Sequence, residues 1–191
     1  MGPTSRTPFP LRMWRAAMLH ADTYEEVEAD RGSIGQAFAI VLMASSAGAL
    51  GTWLRVAMGR PLPDNALPLP LHLALIVLEP LTVWLVSSAF SYMVGATFLR
   101  GPETETDYAE VLRTTGFAFS PGLLLFFVWL QPEELGLLAW SLGRLWILVA
   151  AVVAVRQALD FTTLRAVGTF GAAALLMWLV LWGISVAPIP V

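Results

Sequence analysis

The chain has 191 residues, of which 57% are hydrophobic and only 13% are charged, with a formal net charge of −3 at pH 7. A soluble domain is about 25% charged, and a globule of this length could not hide so much apolar surface, so the composition predicts a membrane protein surrounded by lipid. Cysteine is absent, which excludes disulfides and thiolate chemistry, and the small net charge argues against nucleic-acid binding.

The first 33 residues form a predicted cytoplasmic segment with two short amphipathic helices. They contain no long apolar run, so we expect no secretory signal peptide. In the first helix, apolar residues recur at helical spacing: Leu11, Trp14 and Met18. With Arg12 and Arg15 beside them, this pattern is typical of a helix in the membrane interface. Thr23 followed by Glu26 matches a capping box, which predicts the start of a second helix.

Five apolar stretches follow, and each is near the ~20 residues that a helix needs to cross ~30 Å of hydrocarbon. They cover residues 36–57, 71–99, 111–130, 135–159 and 167–186. Residues 34–191 are therefore predicted to form one membrane domain, an all-α bundle of five transmembrane helices. The second and fourth stretches are longer than a perpendicular span, which indicates tilt or extension beyond the bilayer.

Two connections constrain how these spans are arranged. Residues 59–70 contain four prolines, which disfavour helix and predict an irregular loop at the surface. Residues 131–134 form a much shorter connection. The third and fourth spans should therefore be antiparallel neighbours.

The distribution of arginine predicts the orientation of the bundle, because positive residues favour the cytoplasmic side. With the N-terminus inside, eight arginines are cytoplasmic: Arg6, Arg12, Arg15, Arg31, Arg100, Arg113, Arg156 and Arg165. The outer side then holds only Arg55 and Arg60. We expect a multi-pass protein with its N-terminus in the cytoplasm and its C-terminus outside.

Glu79 and Arg144 lie deep inside apolar stretches, where an ionised side chain costs several kcal/mol unless it is paired. They are about 12 and 14 Å from the outer ends of their spans, at ~1.5 Å per residue, so both should lie near the midplane. We interpret them as an interhelical ion pair, with a carbonyl freed by Pro80 as a further acceptor. A structural role is one interpretation, and a ligand-binding or proton-coupled site is the other.

The third stretch follows Arg113 with a concentration of small, hydroxyl-bearing and helix-breaking residues: Thr114, Thr115, Gly116, Ser120, Pro121 and Gly122. Small residues let membrane helices approach closely, and hydroxyls can bond carbonyls that proline leaves free. We interpret the pattern as close helix packing. The alternative is a broken helix that lines a cavity.

Acidic side chains cluster on the predicted cytoplasmic face, before the first span and in the second connection: Glu25, Glu26, Glu28, Asp30, Glu103, Glu105, Asp107 and Glu110. A solvated surface is the ordinary interpretation. The functional alternative is a docking surface for a basic partner, formed by Glu103, Glu105 and Asp107.

No catalytic, cofactor or metal site is predicted. His20 and His72 lie in different segments, without the i, i+4 spacing of paired ligands on a helix. The sequence has no nucleophile elbow, Walker loop, dinucleotide fingerprint or calcium loop. We therefore expect a protein that is not an enzyme and needs no cofactor.

Two adjoining segments carry a family resemblance. The segment that begins at Arg113 reads RTTGFAFSPGLLLFF, and the fourth span leads into LWILVAAVVAVRQALDFTTLRAVG. Both resemble the corresponding spans in the bacterial branch of the Yip family, the Ypt/Rab-interacting proteins. The N-terminal DTYEEVEADRGSIGQAFAIVLMAS is similar to the lead-in to that family's first span. The matching positions are Arg113, Gly116, Phe117, Pro121, Gly122, Arg156, Gln157 and Asp160.

The resemblance implies a five-helix bundle in the bacterial inner membrane, with a cytosolic N-terminus. Eukaryotic members bind small GTPases and help to organise transport vesicles, but their long N-terminal region has no counterpart here, so GTPase binding does not carry over. We expect a protein that organises or supports other membrane components, with a membrane-protein partner or a second copy of itself. The alternative is a transporter or channel-like protein whose polar centre is Glu79 and Arg144.

Overall fold

The computed structural model describes residues 7–95 and 107–186, with side chains as far as residue 176, and its regular elements there are all helical. Seven α-helices follow in chain order: α1 (Phe9–Ala17), α2 (Ala21–Ala29), α3 (Ile34–Ala57), α4 (Leu69–Met93), α5 (Tyr108–Phe117), α6 (Glu133–Ala158) and α7 (Thr163–Val186). A 3₁₀ turn at Arg31–Ser33 joins α2 to α3. A longer 3₁₀ helix, Ser120–Trp129, lies between α5 and α6 and is called here the 3₁₀ segment.

Three of these helices, α3, α4 and α6, are long and apolar enough to cross a membrane. Together, α5 and the 3₁₀ segment could form a fourth span, bent by 41°. In α7 the stretch with described side chains, Thr163–Leu176, is shorter than a span. The structure thus confirms an all-helical membrane architecture with three or four candidate spans, and the five-span count stays a prediction.

The third predicted span is broken, which corrects the expectation of one continuous packed helix. Pro121 has no N–H to donate to the carbonyl of Phe117, where an α-helix would place that hydrogen bond. The Ser120 hydroxyl donates to this carbonyl instead, at 2.7 Å. Beyond the break the chain continues as the 3₁₀ segment, which packs against α6 as the short connection predicts.

Glycines bring α3 and the 3₁₀ segment into backbone contact. A Cβ atom on Gly51 would overlap the carbonyl oxygen of Phe126, and one on Gly122 would overlap Ala44. On α5, Gly116 faces Ala37 of α3 in the same way. The small residues of the third span therefore do pack closely, as predicted, although the helix that carries them is broken.

The amino-terminal helices α1 and α2 are joined to the bundle by a buried arginine. The Arg12 guanidinium, only 2% exposed, donates to Glu26 Oε1 at 2.8 Å, Asp30 Oδ2 at 2.9 Å and Gln36 Oε1 at 3.2 Å. Arg12 is therefore buried among polar partners, and Glu26 and Asp30 are not purely solvated, whereas the interfacial position of α1 stays a prediction. Their charges compensate each other at the junction of α1, α2 and α3.

The predicted capping box at Thr23 and Glu26 is also wrong. Helix α2 begins at Ala21 after His20, so Thr23 lies inside the helix and is buried. Glu26 binds Arg12 and the Thr7 amide, which leaves it unavailable to cap the helix. Tyr24 and Trp146 hold α1 from two sides, since they donate to the carbonyls of Ala16 and Ala17 at 3.0 and 2.8 Å.

Candidate functional site

The structure brings Glu79 of α4 and Arg144 of α6 together. Arg144 Nη1 donates to Glu79 Oε1 at 3.3 Å, and Nη2 donates to Oε2 at 3.2 Å. Two parallel hydrogen bonds of this kind fix both the distance and the orientation of the pair. The residues lie about 15 and 16 Å from the starts of their helices, at ~1.5 Å per residue. An apolar bundle thus carries one ion pair about halfway along two of its long helices.

This pair borders a cleft of about 270 Å³. Helices α4 and α6 form its sides, and α3 with the 3₁₀ segment forms its floor, through residues that include Ser45, Thr52, His72, Leu75, Leu125 and Val128. The Arg144 guanidinium lies over the Trp140 ring, 5.3 Å from its centroid, where a cation–π interaction adds to the pairing. A second cavity of about 240 Å³ adjoins the first, with Pro80 and Leu125 lining both.

The ion pair is only partly enclosed by its own chain. The side chains of Glu79 and Arg144 are 47% and 41% exposed. The extra acceptor expected beside Pro80 is not used, since within the described residues Arg144 Nε is buried without a hydrogen-bond partner. Charges near the midplane of a bilayer are costly unless their surroundings are polar or occupied. The residues of the cleft therefore do not fully surround these two charges.

Replacing Glu79 or Arg144 singly with leucine should lower stability by about 1–3 kcal/mol, because each change leaves an unpaired charge. Replacing both together should cost less than either single change. Thermal unfolding of the four proteins in one detergent would measure this cycle. Additive losses would contradict an energetic coupling between the two side chains.

A second polar cluster joins the family-motif positions to α2. Arg113 of α5 donates to the carbonyl of Glu28 at 2.6 Å, and Gln157 near the end of α6 donates to Glu25 Oε1 at 2.8 Å. Asp160 follows α6 with its backbone in the left-handed region, at φ 50°. Its negative charge is close enough to Glu28 to raise the pKa of that residue. Motif residues from two predicted spans thus meet at the amino-terminal helices.

Burial raises the pKa of Glu28 from 4.5 to about 7, and the negative charges of Asp160 and Glu110 add to the rise. Arg113 opposes this effect, and Glu25 contributes weakly to it. Glu28 therefore changes its charge near neutral pH, whereas an ordinary glutamate is fully ionised there. Glu28 is thus partly buried among other charges and is not a freely solvated surface residue.

At pH 8 we expect Glu28→Gln to raise the unfolding midpoint by about 2–4 °C, or about 1 kcal/mol once solvent screening is allowed for. The folded-state pKa is above the unfolded value, so the protonated carboxyl stabilises the fold below about pH 4.5 and this contribution is lost as the pH rises through about 7. Parent and variant should therefore coincide near pH 4.5. The exposed acid Asp22, replaced by asparagine, is the control and should give no such gain.

The other predicted positions have simpler surroundings. Gly116, Phe117, Pro121 and Gly122 are buried between helices, whereas Arg156 is exposed. Glu103 and Glu105 of the predicted docking surface lie outside the described residues. Asp107 forms a capping box with Glu110 at the start of α5, a local role that the sequence analysis missed.

Nothing in the described part of the chain groups three or more metal-binding side chains of the His, Cys, Asp or Glu type. His20 precedes α2, and His72 lines the cleft on α4. The buried cluster around Arg12 is the main feature that sequence patterns missed, because its partners are separated from it by 14 to 24 positions.

Comparison with known proteins identifies one relationship. The Yip1 domain model matches residues 16–184, which is most of the chain and includes the ion pair of Glu79 and Arg144 and the cluster that joins Arg113 and Gln157 to α2. Searches of curated proteins and of solved structures found no match.

Proposed function

Because the chain belongs to the Yip1 domain family, we propose that it is a non-enzymatic membrane protein that organises other membrane components by binding their transmembrane segments. The half-exposed ion pair of Glu79 and Arg144 is the observation that carries this proposal. A transmembrane helix with a polar side chain would complete the surroundings of the pair. It would also cover the apolar sides of the cleft.

The construction of the cleft supports lateral docking. Its floor is tight, because Gly51 contacts the backbone of Phe126 and Gly48 faces Leu125. Helix α7 packs against both α4 and α6, with Ala166, Thr169 and Ala173 buried. The side chains of Glu79 and Arg144 nevertheless stay 47% and 41% exposed, so α4 and α6 would present them to lipid or to a neighbouring helix. Helices that associate in lipid rely on such close fit and on interhelical hydrogen bonds.

Site-specific photocrosslinking in the native membrane tests the proposal. A photoreactive amino acid at Leu75, on the cleft, should give a discrete adduct with a membrane protein that mass spectrometry identifies. The matched control is Leu50, which is similarly exposed on α3 at a similar distance from its helix end. The adduct should disappear when Glu79 and Arg144 are both leucine. Equal adducts from both positions, or an adduct that survives the double replacement, would contradict the proposal.

A transporter or channel-like protein is the second candidate, and the broken third span favours it. Val128 of the 3₁₀ segment lines the cleft beside Thr52 and His72, and discontinuous helices commonly line substrate sites. The chain lacks cysteine, so single cysteines introduced at Ser45 and Glu79 can be labelled without background. Reaction with an impermeant maleimide from both sides of the membrane would favour transport over docking.

We also infer the location from the arginine distribution and the family. The protein is proposed to lie in the bacterial inner membrane as five spans, with its N-terminus in the cytoplasm and its C-terminus outside. Reporter fusions at both ends test this topology, and two ends on one side would contradict it. A second copy of the chain is an alternative partner, which crosslinked homodimers would reveal.

The acidic docking surface is retained as a separate proposal for a basic cytoplasmic partner. Charge reversal of Glu103 and Glu105 should remove a co-purifying protein if that surface binds one. Asp107 is a poor choice for this test, because its side chain caps α5. Unchanged co-purification would contradict the proposal.

A further inference from the structure

An apolar groove lies where α1 crosses the break in the third predicted span. Its volume is about 310 Å³, within the range of ligand-binding pockets. One wall consists of Met13, Trp14 and Ala17 of α1, and the other includes Pro121 and Leu124. Trp146 of α6 also lines the groove. It differs from the cleft at the ion pair in having no charged side chain on its walls.

Hydrogen bonds of Trp146 and Arg12 help to keep α1 in place, so the groove has a defined shape. The Trp146 indole N–H donates to the carbonyl of Ala17 at 2.8 Å. The buried guanidinium of Arg12 anchors the other face of the helix to α2 and α3. The break at Pro121 turns the chain away from a straight path and leaves room beneath α1. An apolar ligand could occupy this room without rearranging the helices.

An exposed positive charge lies one helical turn from a residue that lines the groove. Arg15 is exposed on α1, and it forms no ion pair with any described carboxylate. On a helix it neighbours Met18, three residues on, which lines the groove. Trp14 beside it is 62% exposed, and such an indole prefers the level of the lipid headgroups. A helix at this level would place the exposed Arg15 side chain within reach of lipid phosphates.

We propose that this groove binds an anionic phospholipid, with one acyl chain between α1 and the 3₁₀ segment and the phosphate on Arg15. An apolar groove in a bilayer is in contact with acyl chains, and the exposed Arg15 guanidinium provides the charge complementarity that selects an anionic headgroup. This site is independent of the proposed docking of transmembrane segments. A lipid bound at this site would help to hold α1 against the 3₁₀ segment.

Photolabelling of the full chain in vesicles tests this proposal. The vesicles are phosphatidylcholine with a small fraction of phosphatidylglycerol that carries a diazirine on one acyl chain. Label should concentrate on peptides with Met13 and Leu124, relative to Phe38, which is exposed on α3 at the same end of the bundle. The same probe on phosphatidylcholine should label the groove about fivefold less, as expected for one basic contact.

Variants separate the two parts of the site. Arg15→Gln should remove the preference for phosphatidylglycerol, whereas Arg165→Gln, an exposed arginine at the start of α7, should keep it. Ala17→Phe should reduce groove labelling by both probes. If that variant does not fold, Leu124→Trp fills the groove from its other wall.

Three results would overturn the proposal. These are equal labelling of the groove and of Phe38, equal labelling by the two lipids, and an unchanged preference after Arg15→Gln. Each of them leaves crosslinking from Leu75 unaffected. The lipid site and the proposed function can therefore fail separately.

Discussion

Gly51→Ala should lower the unfolding midpoint by roughly 5–10 °C, or at least about 2 kcal/mol. The added methyl group would overlap the carbonyl oxygen of Phe126, which belongs to the backbone of the 3₁₀ segment. A backbone atom cannot rotate away as the end of a side chain can, so the segment must shift as a unit. Circular dichroism during heating in one detergent would measure the loss.

Gly35→Ala on the same helix is the matched control for this prediction. A Cβ atom at Gly35 would meet nothing within 4 Å. Alanine is favoured over glycine in a helix by about 1 kcal/mol, so this variant should be neutral or slightly more stable. Similar losses at both positions would show that close contact between α3 and the 3₁₀ segment is not the cause.

The same change should affect the cleft, because Gly51 lies behind its floor. Leu125 and Val128, which line the cleft, belong to the segment that Gly51→Ala displaces. Crosslinking from Leu75 should therefore weaken in this variant and persist in Gly35→Ala. This result would show that the close contact at Gly51 is needed for the proposed binding of a partner helix.

Helix positions could be predicted because apolar runs and proline-rich connections are local signals. The first span was expected at residues 36–57, and α3 covers Ile34–Ala57. The depths of Glu79 and Arg144 could also be compared from the sequence, since both lie in regular helices of known rise. What a sequence could not decide is how far their own chain encloses them, which depends on how α3 and the 3₁₀ segment pack.

The break in the third span illustrates a different limit. Ser120, Pro121 and Gly122 are compatible with a bent helix and with close packing, and the sequence analysis treated these as alternatives. Both occur, because the Ser120 hydroxyl bonds the carbonyl that Pro121 leaves free while Gly122 packs on Ala44. Only the tertiary contact with α3 makes the two compatible.

Arg12 shows why the amino-terminal site was missed. A single arginine beside an apolar stripe has the same local pattern whether it faces headgroups or lies inside a polar cluster. Its carboxylate partners, Glu26 and Asp30, match an ordinary charged surface helix. The pKa of Glu28 likewise depends on the charge of Asp160, which is distant in sequence. Charged residues that come together only in the folded protein leave no periodic pattern in the sequence.

Arg12→Met should destabilise the protein by about 3 kcal/mol, because it removes the cation from two partly buried carboxylates. Burial raises the pKa of Glu26, but hydrogen bonds from Arg12 and Thr7 outweigh it and hold the pKa below 4.5. A lowered carboxylate pKa stabilises the fold above about pH 4.5, and this contribution is lost as the pH falls through the folded value. The deficit of the variant should therefore be largest near pH 7 and narrow toward pH 4.

Arg165→Met is the control, since Arg165 is exposed at the start of α7 and surface changes usually alter stability by less than about 0.5 kcal/mol. Adding Glu26→Gln and Asp30→Asn to Arg12→Met should recover part of the loss, because these changes remove the two negative charges that Arg12 neutralises. Limited proteolysis should cut α1 faster in Arg12→Met than in Arg165→Met. Equal cleavage and equal midpoints would mean that contacts such as Trp146 with Ala17 hold α1 without the buried charge.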